Sequence, residues 1–173
     1  MLKRDLDSKF RYATLGSLVS YTISASYYKR ERQSVMKHNK QSITLREARE
    51  NDKEIFVELT SALSRFNRQH HDEKSTYDDY SQVLEAIKSQ ALKTFENRDD
   101  GRTHIILAEN HQDIVGYGLA RVYDEDATAD NGTGQIGLID ELFVSASVRG
   151  KGIGYMLLDD CMEWLKKTNI QRV

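Results

Sequence analysis

A chain of 173 residues has room for one domain with its own core, and 39% hydrophobic with 30% charged residues describes a soluble globular protein. The net charge of −2 argues against nucleic acid as the main partner, because phosphate recognition needs a basic surface. No stretch nears the ~18 apolar residues of a membrane span, and the single cysteine, Cys161, excludes an intramolecular disulfide framework.

Charge is unevenly spread. Residues 1–40 carry nine Lys/Arg against three Asp/Glu, which separates a basic N-terminal extension from a domain over residues 41–173. Within the extension, Leu15–Tyr28 is the nearest approach to a signal-peptide core. Its Ser and Thr content, and Asp5 and Asp7 in the flank, read against secretion and for a cytoplasmic protein. Ser42–Ala48 alternates weakly, as a short strand does. Asn51, with Glu54 three residues on, predicts a capped helix whose stripe is Ile55, Phe56, Leu59, Leu63 and Phe66. His70 and His71 follow in a polar stretch; adjacent histidines aim apart and no ligand-spaced partner accompanies them, so no metal site is expected. Thr76 or a neighbour caps a second helix, striped by Leu84, Ile87, Ala91 and Phe95.

The periodicity then changes. Thr103–Ala108 and Ile114–Tyr123 read as an antiparallel hairpin about a turn at Asn110–Asp113. A loop over Asp124–Gln135 carries Asp124, Glu125, Asp126 and Asp130, which would attract a cation if they border a cleft. Ile136–Val144 is a further strand, Ser145–Arg149 a short connection, and Gly150–Lys167 a helix with Ile153, Leu157, Cys161, Trp164 and Leu165 on one face. Ile170–Val173 begins another strand. The order predicts an α+β, or mixed α/β, fold.

The turn before the last helix carries the chemistry. Glycines at 150, 152 and 154 remove side chains that would keep an anion from the backbone, and the amides of a helix's first turn point at that anion. Arg149 and Lys151 add positive charge. A Walker loop fails, because Lys151 is followed by Gly152 instead of Ser or Thr. A dinucleotide fingerprint fails too, because it would need glycine where Tyr155 stands.

The segment Arg149-Gly150-Lys151-Gly152-Ile153-Gly154 instead resembles the Arg/Gln-x-x-Gly-x-Gly/Ala motif of the GCN5-related N-acetyltransferase superfamily. Ile139–Val144 resembles that superfamily's fourth strand, at its usual distance from the arginine but without the frequent proline between them. The resemblance implies a central, mostly antiparallel sheet flanked by helices, reached only into its fifth strand, with the last strands and helix missing or supplied by another segment. It implies acetyl-coenzyme A as co-substrate, no metal, and acetyl transfer to a primary amine, a small cationic molecule being the expected acceptor.

By the same resemblance, the backbone of Leu142, Phe143 and Val144 would pair with the pantetheine arm. Arg149, Gly150, Lys151, Gly152, Ile153, Gly154 and Tyr155 would hold the pyrophosphate, and the Val144 amide would meet the oxyanion. Asp140 and Glu141 are the candidate general bases. Strand alternation sends them to opposite faces, so one at most reaches the cleft, and Asp140 is the expected one. The family's general-acid tyrosine lies on an element beyond this chain, which leaves a coenzyme A-binding module with impaired catalysis as the alternative reading. A sheet edge at Ile170–Val173 leaves a homodimer open.

Overall fold

The structure, a computed structural model, describes residues 43–69, 79–125 and 134–168. Strand β1 (Ile43–Glu47) is followed by helices α1 (Lys53–Gln69) and α2 (Tyr80–Glu96). Strands β2 (Thr103–Asn110), β3 (Asp113–Asp124) and β4 (Gln135–Val144) come next, and then helix α3 (Ile153–Lys167). The strands form one antiparallel sheet in the order β1-β2-β3-β4. This is the mixed α/β architecture expected from the sequence. The extension over residues 1–40, His70, His71, Thr76, Asp126, Asp130 and Ile170–Val173 lie outside the described residues.

Alternation along β3 builds the two layers. Its small residues, Gly116, Gly118 and Ala120, face α3, which buries Ile153, Leu157, Cys161 and Leu165 against them and against Ile106 and Ala108. Its large residues, Tyr117 and Leu119, face the other way and pack with Ile105, Leu107 and Phe143 against Phe56 and Leu59 of α1 and Ala91 and Phe95 of α2. The small face is required by the helix: a Cβ on Gly118 would stand 2.9 Å from Cys161 Sγ and 3.0 Å from Ile106 Cγ2. Of the three stripes read from helical spacing, Phe56, Leu59, Ala91, Phe95, Ile153, Leu157, Cys161 and Leu165 form the buried part of these layers.

Element starts differ from the sequence reading. Asn51 does not cap α1. It sits exposed in a 3-10 turn, Glu50–Asp52, that runs directly into the helix. The carboxylate that satisfies this turn is Asp52, which accepts from Arg49 N at 2.7 Å and from both terminal nitrogens of Arg46, at 2.6 and 2.8 Å. Helix α2 is capped by Asp79, whose Oδ1 accepts from Ser81 N at 3.0 Å. The β2–β3 hairpin turns where expected: Asn110 pairs with Asp113 around a two-residue turn in which His111 takes φ 61°. Helix α3 starts at Ile153, not Gly150, because Gly150 and Gly152 adopt φ 77° and 80°, outside helical space.

Candidate active site

Two features of the sheet and its connection to α3 meet at the C-terminal end of β4. The first is a bulge. Leu119 pairs with Glu141 while Ala120 pairs with Ile139, so Asp140 is an extra residue on β4. The extra residue suspends strand alternation and turns both neighbouring carboxylates to the α1/α2 side, contrary to the expectation that they face apart. Their partners demonstrate it, for Tyr117, Arg121 and Tyr123 all lie on one face of β3. The Tyr117 hydroxyl donates to Glu141 Oε2 at 2.5 Å. Arg121 Nε and the Tyr123 hydroxyl both donate to Asp140 Oδ2, the latter at 2.7 Å.

The two acids differ in environment. Asp140 is held in an ion pair with Arg121, which also lies over the Tyr123 ring at 5.1 Å. Glu141 lines a cleft of about 90 Å3 between the sheet and the two helices, together with Phe56, Thr60, Ile87, Gln90 and Arg121. Burial pushes the Glu141 carboxyl above its ordinary range; the Asp140 charge adds to this, while the Tyr117 hydrogen bond and Arg121 oppose it. Burial and Asp140 together push the Tyr123 phenol up to about 12.

The second feature is the edge of β4. Antiparallel pairing alternates, and Ser145 N bonds Val115 O at 2.8 Å, so the peptide groups of Val144, opposite Gly116, point away from β3. The same alternation turns Leu142, opposite Gly118, outward as well. Phe143 is buried, its ring 6.3 Å from Tyr117 between centroids. Arg149 reaches back to this edge: Nε donates to Val144 O at 2.8 Å, and the guanidinium lies 4.4 Å from the Phe66 ring centroid.

Beyond Arg149 the chain turns through Gly150 and Gly152 into α3. The first helical hydrogen bonds are from Tyr155 N and Met156 N to Gly152 O, at 3.1 and 3.2 Å. The amides of Ile153 and Gly154 thus precede the intrahelical ladder, at the positive end of the dipole. Nothing lies within 4 Å of a Cβ built on Gly150, and one on Gly154 would meet only Val144 Cγ2 at 3.9 Å, so the turn is not blocked by side chains. Such a cradle of bare amides fits a diphosphate.

A family model described as the acetyltransferase (GNAT) family matches residues 56–173, well over half the chain. The chain belongs to this family. Membership agrees with the expectation of an acetyl-coenzyme A-dependent N-acetyltransferase. No curated protein matches the sequence. Among solved structures, the GNAT fold is shared with a predicted acetyltransferase from Clostridium acetobutylicum, solved with acetyl-CoA. The two are 21% identical, over 75% of this chain and 77% of that one, with a TM-score of 0.60. A GCN5-related N-acetyltransferase from Ralstonia eutropha JMP134 is 18% identical, over 76% and 80% of the two chains, at a TM-score of 0.61. AAC(6')-Iy, solved with a bisubstrate analog, CoA-S-monomethyl-acetylneamine, is 15% identical, over 75% and 76%, at a TM-score of 0.50.

Sequence reasoning missed Tyr117, Arg121 and Thr60 as neighbours of the GNAT carboxylates. One signal was available: Tyr117, Arg121 and Tyr123 share a parity along the strand, opposite to Gly116, Gly118 and Ala120, so their polar tips gather on one side. At the start of the acidic loop, Asp124 is tied to Arg102 at 2.8 Å. No helix among the described residues is long and apolar enough to cross a membrane.

Proposed function

We propose that this chain transfers acetyl from acetyl-coenzyme A directly to a primary amine, with Glu141 as the general base and a small cationic molecule as acceptor. The observation that carries the reading is a half-buried carboxylate in the cleft, on the same strand whose Leu142 and Val144 peptides open to the outer edge. Leu142 and Val144 would pair with pantetheine through their backbone, whereas the Phe143 peptide faces Tyr117 of β3 and is not open to that edge. Arg149, Gly150, Lys151, Gly152, Ile153, Gly154 and Tyr155 would hold the pyrophosphate.

An alkylamine with a pKa near ~10 is mostly protonated at neutral pH and must lose a proton to attack. Glu141 takes that proton, directly or through one water, and its raised pKa brings it nearer the working pH. The amine lone pair forms the new C–N bond at the thioester carbonyl, the Val144 amide meets the oxygen that becomes negative, and the C–S bond breaks. The acylated nitrogen sheds its second proton to give the amide, and coenzyme A leaves as thiolate with the bonding electrons and takes up a proton in exchange through solvent. Asp140 is the weaker base candidate, because its ion pair with Arg121 would have to open first. That pair also neutralises Arg121, leaving Glu141 as the uncompensated charge lining the cleft, which favours an ammonium group. The narrow cavity suits an amine on a slim arm. A cytoplasmic setting fits a lone, buried Cys161 thiol.

The test is thiol release from acetyl-coenzyme A against a panel of primary amines that includes 1,4-diaminobutane and neamine. Turnover is expected with at least one of them, and Glu141→Gln is expected to lower kcat by ~10²-fold. Acetyl-coenzyme A binding without turnover on any amine would favour a non-catalytic module. Full activity in Glu141→Gln would remove Glu141 from the mechanism.

A further inference from the structure

Behind the cleft, against Glu141, lies a group that neither the family motif nor the proposed transfer uses. Tyr117 is fully buried at 0% exposure, yet its hydroxyl does not end in the core. Its ring is packed edge-on against Phe56, 5.2 Å between centroids, and tilted against Phe143 at 6.3 Å, so aromatic side chains from α1 and β4 fix its position. From that fixed ring the hydroxyl donates to Glu141 Oε2 at 2.5 Å. Neighbouring Thr60 turns its own hydroxyl toward Phe56 O at 2.9 Å, so its proton is committed to the α1 backbone.

We propose that Tyr117 is a positioning residue for Glu141: its immobilised hydroxyl holds one carboxylate oxygen in the floor of the cleft and leaves the other to face the acceptor amine. A glutamate side chain has three rotatable bonds, and this one follows directly on the unpaired bulge residue Asp140. One short hydrogen bond from a locked ring removes that freedom where the transferred proton must be met. The donor also favours the carboxylate over the acid, opposing the burial that pushes Glu141 up. Tyr117 cannot readily exchange its proton, because burial and the adjacent Glu141 charge hold its phenol well above its ordinary value. It therefore stays a donor throughout the cycle.

The inference rests on Glu141 as the base, and the experiment separates the two claims. The charged and titratable groups facing Glu141 are Tyr117 and Arg121 from β3 and Asp140 from β4; α1 and α2 present Thr60, Gln90 and Thr94, none of which titrates. Glutamate labelled with 13C at the carboxyl is titrated by NMR in the coenzyme A-saturated protein, with the Glu141 signal assigned by its loss in Glu141→Gln. Tyr117→Phe keeps the ring and deletes only the hydroxyl. It is expected to raise the Glu141 titration midpoint by about one pH unit, the shift that matches a hydrogen bond of ~1.4 kcal/mol. The acid limb of kcat/KM, measured with whichever probe amine turns over, is expected to move upward with it. Tyr123→Phe removes an equivalent hydroxyl from Asp140 and is expected to move neither.

Coenzyme A affinity equal to wild type shows that the site remains folded in each variant. An unmoved Glu141 midpoint in Tyr117→Phe, with affinity retained, would overturn the assignment of Tyr117 while leaving Glu141 as base. Full activity in Glu141→Gln would remove the base itself and the inference with it. An acid limb that follows Tyr123→Phe instead would transfer the role to Asp140 and overturn both.

Discussion

At the scale of single residues, the glycines of the motif are not equivalent. Gly150 and Gly152 stand at φ 77° and 80°, where a Cβ is strained whatever the space around it. Gly154 is not in the left-handed region, and an added methyl would touch only Val144 Cγ2 in ordinary contact. Titration calorimetry with acetyl-coenzyme A should therefore give micromolar binding in the wild type, largely lost in Gly152→Glu and kept within a few-fold in Gly154→Ala. Equal loss in both would mean that steric access, not backbone conformation, governs the turn. The motif was legible in the sequence because glycine spacing is itself the signal. The partners of Glu141 were not, because a lone tyrosine in an apolar strand reads as core, and Tyr117 does belong to the core along its whole ring.

At the scale of elements, β3 decides how closely α3 can approach. Cys161 Sγ, Ile106 Cγ2 and Leu142 Cδ2 would lie 2.9, 3.0 and 3.2 Å from a Cβ on Gly118. Gly118→Ala should cost ~1–3 kcal/mol by overpacking, read as a lower urea midpoint with an unchanged slope. A neutral result would show that α3 can shift outward freely. Helical stripes, the hairpin and the four-strand run were all readable from periodicity. Starts were less so, since Asn51 and Asp52 offer equally good capping chemistry. The choice was made by Arg46, on the strand just before the turn, whose guanidinium folds back onto Asp52. The bulge was missed for a similar reason: assuming strict alternation places Asp140 and Glu141 on opposite faces, and only pairing with β3 reveals the extra residue.

At the scale of the whole molecule, a buried carboxyl and a half-buried one pull stability in opposite directions with pH. The Arg46 hydrogen bonds hold Asp52 below the usual carboxylate range, and Arg46 also reaches Glu109 at 2.6 Å, tying β1, the start of α1 and β2 together. Asp52's contribution is complete above its unfolded value of ~3.9 and is lost as pH falls through its lower folded value. Glu141 is raised by burial, so its sign is reversed. Its contribution is complete below the unfolded value of ~4.3 and is lost as pH rises through the folded one. Glu141→Gln should thus be more stable than wild type at neutral pH, with the difference shrinking to nothing near pH 4 in urea melts. A variant equally or less stable at pH 7 would contradict the raised value. A more stable Glu141→Gln that has lost turnover in the thiol-release assay would show activity held at the expense of stability.

The bulge has one more outcome. Register is intact on both sides of it, Leu119 with Glu141 below and Ala120 with Ile139 above, so Asp140 can be excised without sliding either half of the strand. A chain lacking that one residue should still fold and keep Glu141 against Tyr117, while Arg121 and Tyr123 lose their shared acceptor. An insertion here is modular: it adds an acid to the site and leaves the surrounding hydrogen-bond ladder indifferent to its arrival.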